Sequence, residues 1–101
     1  MDATGWRAGT VYGIRVGREN ANNYFSPKTP NIQVDIDGFF YNFRLTPTFW
    51  TTCPEIRGKA IREWFIIKRL APWPKGETPK LTLKPLGDHC FKLAIRGDYL
   101  R

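Results

Sequence analysis

No run of apolar residues in this chain is longer than four, Trp64-Phe65-Ile66-Ile67, so no stretch of it approaches the roughly 20 residues that a membrane-crossing helix needs. The chain has one histidine, His89, and two cysteines, Cys53 and Cys90, in 101 residues. It has no Cys-x-x-Cys and no second histidine, and His89 and Cys90, adjacent in a predicted strand, point to opposite faces, so no metal site is expected. Cys53 precedes a predicted helix start, where the macrodipole favours a thiolate, but His89 neighbours the other cysteine and leaves Cys53 without a base. Carboxylates are few and scattered, which gives glycosidase or two-metal nuclease chemistry no support. The glycines at 5, 9, 13 and 17 flank a strand instead of opening a helix, so they form no phosphate loop. A metal-independent ribonuclease using Lys, Arg and His89 is the remaining enzymatic reading, and it lacks a partner base. No catalytic residue, metal or cofactor is expected.

Two cysteines without a basic-then-apolar leader predict a reduced, cytoplasmic protein with free thiols. Apolar content of 42%, of which the aromatics are an unusually large part at 15%, is enough for one folded domain over 1–101 without disulfides. The formal net charge is +7, and it is unevenly spread: residues 1–45 hold five Lys/Arg against four Asp/Glu, and residues 46–101 hold eleven against five. A surplus of this kind favours polyanions such as nucleic acid, anionic surfaces or an acidic protein, although basic residues also serve solubility alone.

The strongest local signal is residues 31–45, NIQVDIDGFFYNFRL. A two-residue turn at Asp37-Gly38, a dipeptide that tolerates positive φ at both positions, sets Ile36 opposite Phe39, Val34 opposite Tyr41 and Ile32 opposite Phe43. Those six apolar side chains share one face. The other face carries Asp35 opposite Phe40, Gln33 opposite Asn42, and Arg44, so Phe40 is a large aromatic on the side expected to meet solvent.

Upstream, residues 1–9 read as a lead-in with Trp6 against the core edge. Thr10–Val16 reads as the first strand, with Tyr12, Ile14 and Val16 on one face and Gly13 marking a bulge or a close backbone approach. Residues 17–30, rich in Gly, Asn, Ser and Pro, read as a long loop carrying Tyr24 and Phe25. Thr46-Pro47 starts a helical turn with Phe49 and Trp50. Thr52-Cys53-Pro54-Glu55 fits a capping box, which predicts one long helix to about Leu70 with Ile56, Ala60, Trp64 and Ile67 in one stripe. Gly58 would weaken that helix by about 1 kcal/mol, and the rival reading makes Arg62 to Lys68 a strand. Residues 71–80 form a proline-rich connector. Leu81 and Leu83, a turn at Pro85-Leu86-Gly87-Asp88, then Phe91, Leu93 and Ile95 form a second hairpin, followed by a loose tail at 96–101.

This order, β-β-β-α-β-β, predicts an α+β fold: a small five-stranded barrel or strongly curved antiparallel sheet, OB-like or SH3-like, with one long helix packed on it. Single-strand binding on such a barrel needs cations for phosphates and exposed rings for bases, each stack contributing about 1–3 kcal/mol. Phe40 beside Arg44, with Arg15 on the outer side of the first strand, supplies one candidate pair, and Trp73 beside Lys75 supplies another. Phe40 covered by the 17–30 loop, or Trp73 capping the core, would be purely structural. Arg62 and Arg69, near Lys59 on the predicted helix, form a basic ridge that could meet phosphates or simply be solvated. The leading expectation is a nucleic-acid-binding domain, single-stranded or weakly sequence-specific. The alternative is a protein-interaction or homodimeric module in which Tyr24, Phe25 and Phe40 form the contact and the charge is incidental.

Overall fold

In the computed structural model, which describes residues 1–97, the elements are β1 (Asp2–Ala8), β2 (Val11–Arg15), α1 (Arg18–Tyr24), β3 (Asn31–Ile36), β4 (Phe39–Arg44), α2 (Pro47–Thr51), β5 (Glu55–Arg57), α3 (Lys59–Ile67), β6 (Lys80–Gly87) and β7 (Cys90–Ile95). The seven strands form one mixed sheet in the order β4-β3-β7-β6-β1-β2-β5, in which only β3 and β7 run parallel. The sheet curls until its two edge strands nearly meet. Phe43 of β4 lies against Gly58, the residue after β5, so tightly that a Cβ on Gly58 would stand 2.7 Å from the ring. The result is a barrel-like α+β fold with seven strands and three helices among the described residues, in place of the five strands and one long helix that the sequence predicts.

The first hairpin has the expected register, from Ile36↔Phe39 through Val34↔Tyr41 and Ile32↔Phe43 to Asn31↔Arg44. Asp37 and Gly38 both take positive φ, 53° and 91°, and the Asp35 carboxylate accepts the Gly38 N–H at 2.8 Å. The inward face is covered unevenly. Ile32, Val34, Ile36 and Phe43 are buried, whereas Phe39 and Tyr41 are exposed along the edge strand.

Two of the extra strands arise where the hairpin and helix signals are misleading. Residues 1–9 are no lead-in: β1 pairs with β2 from Ala8↔Val11 to Thr4↔Arg15, around a two-residue turn whose first position is Gly9 at φ 61°. On β2 the expected inward set of Tyr12, Ile14 and Val16 is buried, and the close approach at Gly13 is real, since a Cβ there would stand 2.6 Å from the Ile56 carbonyl oxygen. That approach is the pairing of β2 with β5, Gly13↔Arg57, Ile14↔Ile56 and Arg15↔Glu55. Residues 55–57 are therefore a strand and not the first turn of a helix. The capping box does not form, because Glu55 is engaged by Arg15 and its backbone by β2. Helix α3 begins only after Gly58, and Cys53 stands before a strand instead of a helix.

Further corrections follow from packing. The 17–30 segment contains α1, and Phe25 just beyond it is buried, stacked on Phe91 with ring centroids 4.9 Å apart and edge-on to Phe49 at 5.2 Å. In the second hairpin the turn is Asp88-His89, both at positive φ, with Gly87↔Cys90 closing it and an irregularity between Pro85 and Gly87. Arg96 is anchored, donating to the Ala3 and Leu81 carbonyls at 2.7 and 3.3 Å; the rest of the predicted tail, from residue 98, lies outside the described residues. Within α3, Ile61, Trp64 and Phe65 are buried, but Ile67, the last member of the predicted stripe, is exposed. Both cysteines are free. No described helix is long and apolar enough to cross a membrane.

Two substitutions probe this closure. Gly58→Ala should cost about 1–3 kcal/mol in urea unfolding by pressing on the Phe43 ring, and Phe43→Leu in the same chain should recover part of that loss. Strictly additive costs would mean that the two edges do not abut. Trp64→Ala should cost about 3–5 kcal/mol.

Candidate functional site

The alternation of β1, β2 and β5 sends Thr4, Trp6, Gly13, Arg15, Glu55 and Arg57 to the side of the sheet opposite the core residues Ile14 and Ile56. Gly13 carries no side chain between Trp6 and Arg57, its two cross-strand neighbours, and the Arg57 guanidinium lies over the Trp6 ring at 4.8 Å from the centroid. Beside it, Arg15 donates through Nε and Nη2 to the same oxygen of Glu55, at 3.0 and 2.8 Å. Arg57 approaches the other carboxylate oxygen at 3.8 Å. The Glu55 side chain is only 2% exposed, whereas Arg15 and Arg57 are about half exposed at 54% and 44%. A buried carboxylate thus holds two guanidinium groups whose outer N–H donors remain free for another anion.

Three clefts border these groups. The largest, about 410 Å³, lies between β1 and the connector after α3, and is lined by Trp6, Arg7, Arg15, Trp73, Lys75 and Thr78. The connector is tied to β1 by the Gly5 N–H donating to the Pro79 carbonyl at 2.9 Å. Trp73 is anchored edge-on to Tyr12 and Phe65, with centroids 5.5 and 5.2 Å away, and remains half-buried. A second cleft of about 280 Å³ holds Arg44, Thr46, Thr48, Glu55 and Arg57 between the two edge strands. A third of about 280 Å³ holds Thr10, Val11, Tyr12, Arg57, Lys59 and Arg62 at the start of α3. Arg57 lines the last two and covers a ring of the first.

Of the residues singled out by sequence, Arg15, Trp73 and Lys75 come together in one cleft, and Arg44 and Arg62 line its neighbours. Phe40 and Arg69 line none of the three. Phe40 is exposed on the hairpin, and Arg69 has left the helix, at φ 59° beyond the end of α3. The basic ridge is diluted by the Lys59–Glu63 contact at 3.8 Å and by the exposed Ile66. Trp6, Arg7 and Arg57 were missed by the sequence reading. The Gly9-Thr10 turn was the signal that could have revealed them, because it makes residues 2–8 a strand and places Trp6 opposite Gly13.

Among the described residues no group of three His, Cys, Asp or Glu side chains gathers to hold a metal ion. Comparison of the chain with protein families, curated proteins and solved structures finds no match.

The Glu55 arrangement has a measurable asymmetry. Arg15→Ala leaves a buried carboxylate without its two charged hydrogen bonds and should cost about 2–4 kcal/mol, whereas Glu55→Gln keeps an acceptor for Arg15 and should cost less. Chemical unfolding ranks the two variants, and the reverse order would show that Arg15 is not what sustains the buried charge.

Proposed function

We propose that this protein binds nucleic acid, single-stranded or with weak sequence preference, along the clefts around Trp6, Arg15 and Arg57. The observation that carries this reading is the composition of those clefts. Arg7, Arg15, Arg44, Arg57, Lys59, Arg62 and Lys75 line them with the indoles of Trp6 and Trp73, and Glu55 is the only carboxylate that does so among the described residues. Clustered cations suit a phosphate backbone, and indoles set among them suit unstacked bases, whose π-faces are alike enough to tolerate any sequence. The net charge of +7 adds a long-range attraction that speeds encounter. The rigidity of the site supports the same reading, since Trp6, Arg15 and Arg57 stand on paired strands and Trp73 is wedged against Tyr12 and Phe65.

Phosphates would be met by the outward donors of Arg15 and Arg57, by Arg7 and by Lys75. A base would stack at Trp6, displacing or sandwiching the Arg57 guanidinium, a contact that at an exposed site is worth only about 0.5–1 kcal/mol.

A labelled single-stranded oligonucleotide tests the reading. Binding should weaken linearly with log salt, with a slope of about −0.7 for each phosphate neutralised. Trp6→Ala should weaken it by about 1–3 kcal/mol, and Lys75→Ala should flatten the salt slope by roughly one contact. Lys28, exposed and lining none of the clefts, is the control for charge alone. If the folded protein binds neither DNA nor RNA at low salt, or if Lys28→Ala matches Lys75→Ala, the reading fails.

A further inference from the structure

Strand β4 ends the sheet; at Phe43 it closes on Gly58, but nearer the turn, from Phe39 to Asn42, its edge is unpaired and unusually apolar for an exposed strand. Phe39, Phe40 and Tyr41 are 69%, 57% and 40% exposed, and Ile67 at the end of α3 is 73% exposed. Phe39, Tyr41 and Ile67 share a cleft of about 200 Å³ with Ile36, Ala60 and Trp64, rimmed by the carboxylates of Asp37 and Glu63.

The main chain of β4 is open as well. Gln33 sends its N–H to the His89 carbonyl, and Leu45 sends its N–H to the Pro30 carbonyl, so the hydrogen-bonded pairs of the β3–β4 ladder are Ile36–Phe39, Val34–Tyr41 and Ile32–Phe43. The N–H and C=O groups of Phe40 and Asn42 therefore point out of the sheet, the donor and acceptor spacing that an antiparallel strand requires.

We infer that a second copy of this chain covers this edge, β4 pairing antiparallel with β4 about a two-fold axis at Tyr41. In that register Phe40 of each copy faces Asn42 of the other, so the outward groups of both residues are satisfied at once, and the Tyr41 side chains meet at the axis. The four exposed apolar side chains offer roughly 400 Å² per copy, about half of what each partner contributes to a standard interface, and the strand backbone and flanking polar groups supply the remainder. A self-complementary strand of this kind needs no other protein to close the edge.

Sedimentation velocity across a concentration series, up to about 100 μM, reads the proposal directly. A dimer is expected that high salt does not dissociate, unlike a contact made by the basic clefts. Asn42→Pro removes one outward N–H and leaves the main-chain bonds to β3 in place, losing only the exposed side-chain bond from Gln33, and should raise the dimer dissociation constant by at least about tenfold while circular dichroism shows an intact fold. Tyr41→Cys, with Cys53 and Cys90 changed to serine, should oxidise to a covalent dimer, because directly opposite positions in a non-hydrogen-bonded pair lie within disulfide reach. A protein that stays monomeric throughout the series overturns the inference. So does a dimer that Asn42→Pro leaves unchanged, or a folded Tyr41→Cys dimer that does not cross-link.

Discussion

The contact on which the basic clefts depend is the approach of the Gly13 backbone to the carbonyl of Ile56, where no side chain fits between. It allows residues 55–57 to join β2 as a strand. That pairing sets Glu55 opposite Arg15 and Arg57 opposite Gly13, within reach of Trp6. A helix beginning at the capping box would have turned Glu55 and Arg57 to different faces about 200° apart, and no shared ion pair would result. The short strand also delays α3 until Gly58, whose missing side chain lets Phe43 in and brings the two sheet edges together.

Closure places charge where it would otherwise be unfavourable. Arg15, Arg44 and Arg57 come from three different strands and converge at a gap in the barrel, and Glu55 lies buried among them. One carboxylate fixes the Arg15 guanidinium through two hydrogen bonds and lies 3.8 Å from that of Arg57, while the local balance stays positive. The arrangement is pre-organised, since the cations are held by the fold before any anion arrives, and less side-chain freedom is lost when one does.

The apolar side chains are divided just as unevenly. Aromatic rings fill one end of the core, where Phe25, Phe49 and Phe91 pack on one another, and Tyr12, Phe65 and Trp73 form a second cluster under the connector. Phe39, Phe40 and Tyr41 belong to neither cluster. Phe39 and Tyr41 border a cleft with Ile67 instead of a packed core, and Phe40 stands exposed on the opposite face of the hairpin. The basic clefts and the apolar edge thus occupy different parts of the same nearly closed sheet, with Arg44 at the boundary.

Local chemistry was enough to determine the first hairpin completely, because a two-residue turn at positive φ and period-two alternation leave only one register. It also identified the inward set of β2, the close approach at Gly13, the proline-started α2 and the burial of Trp64. Arg15, Trp73 and Lys75 were legible as cations and a ring of the right kind, but their convergence was not, since residues 15 and 73 are neighbours only after the connector is tied back to β1. The capping box was a sound local signal that lost to a non-local one: sheet pairing with β2 satisfies the same backbone groups and buries Ile56 as well. Alternation settles which face of a strand a residue occupies, while the curl of the sheet settles whether that face is covered. Phe39 and Val34 share a face by sequence, and only the tertiary structure left one exposed and buried the other.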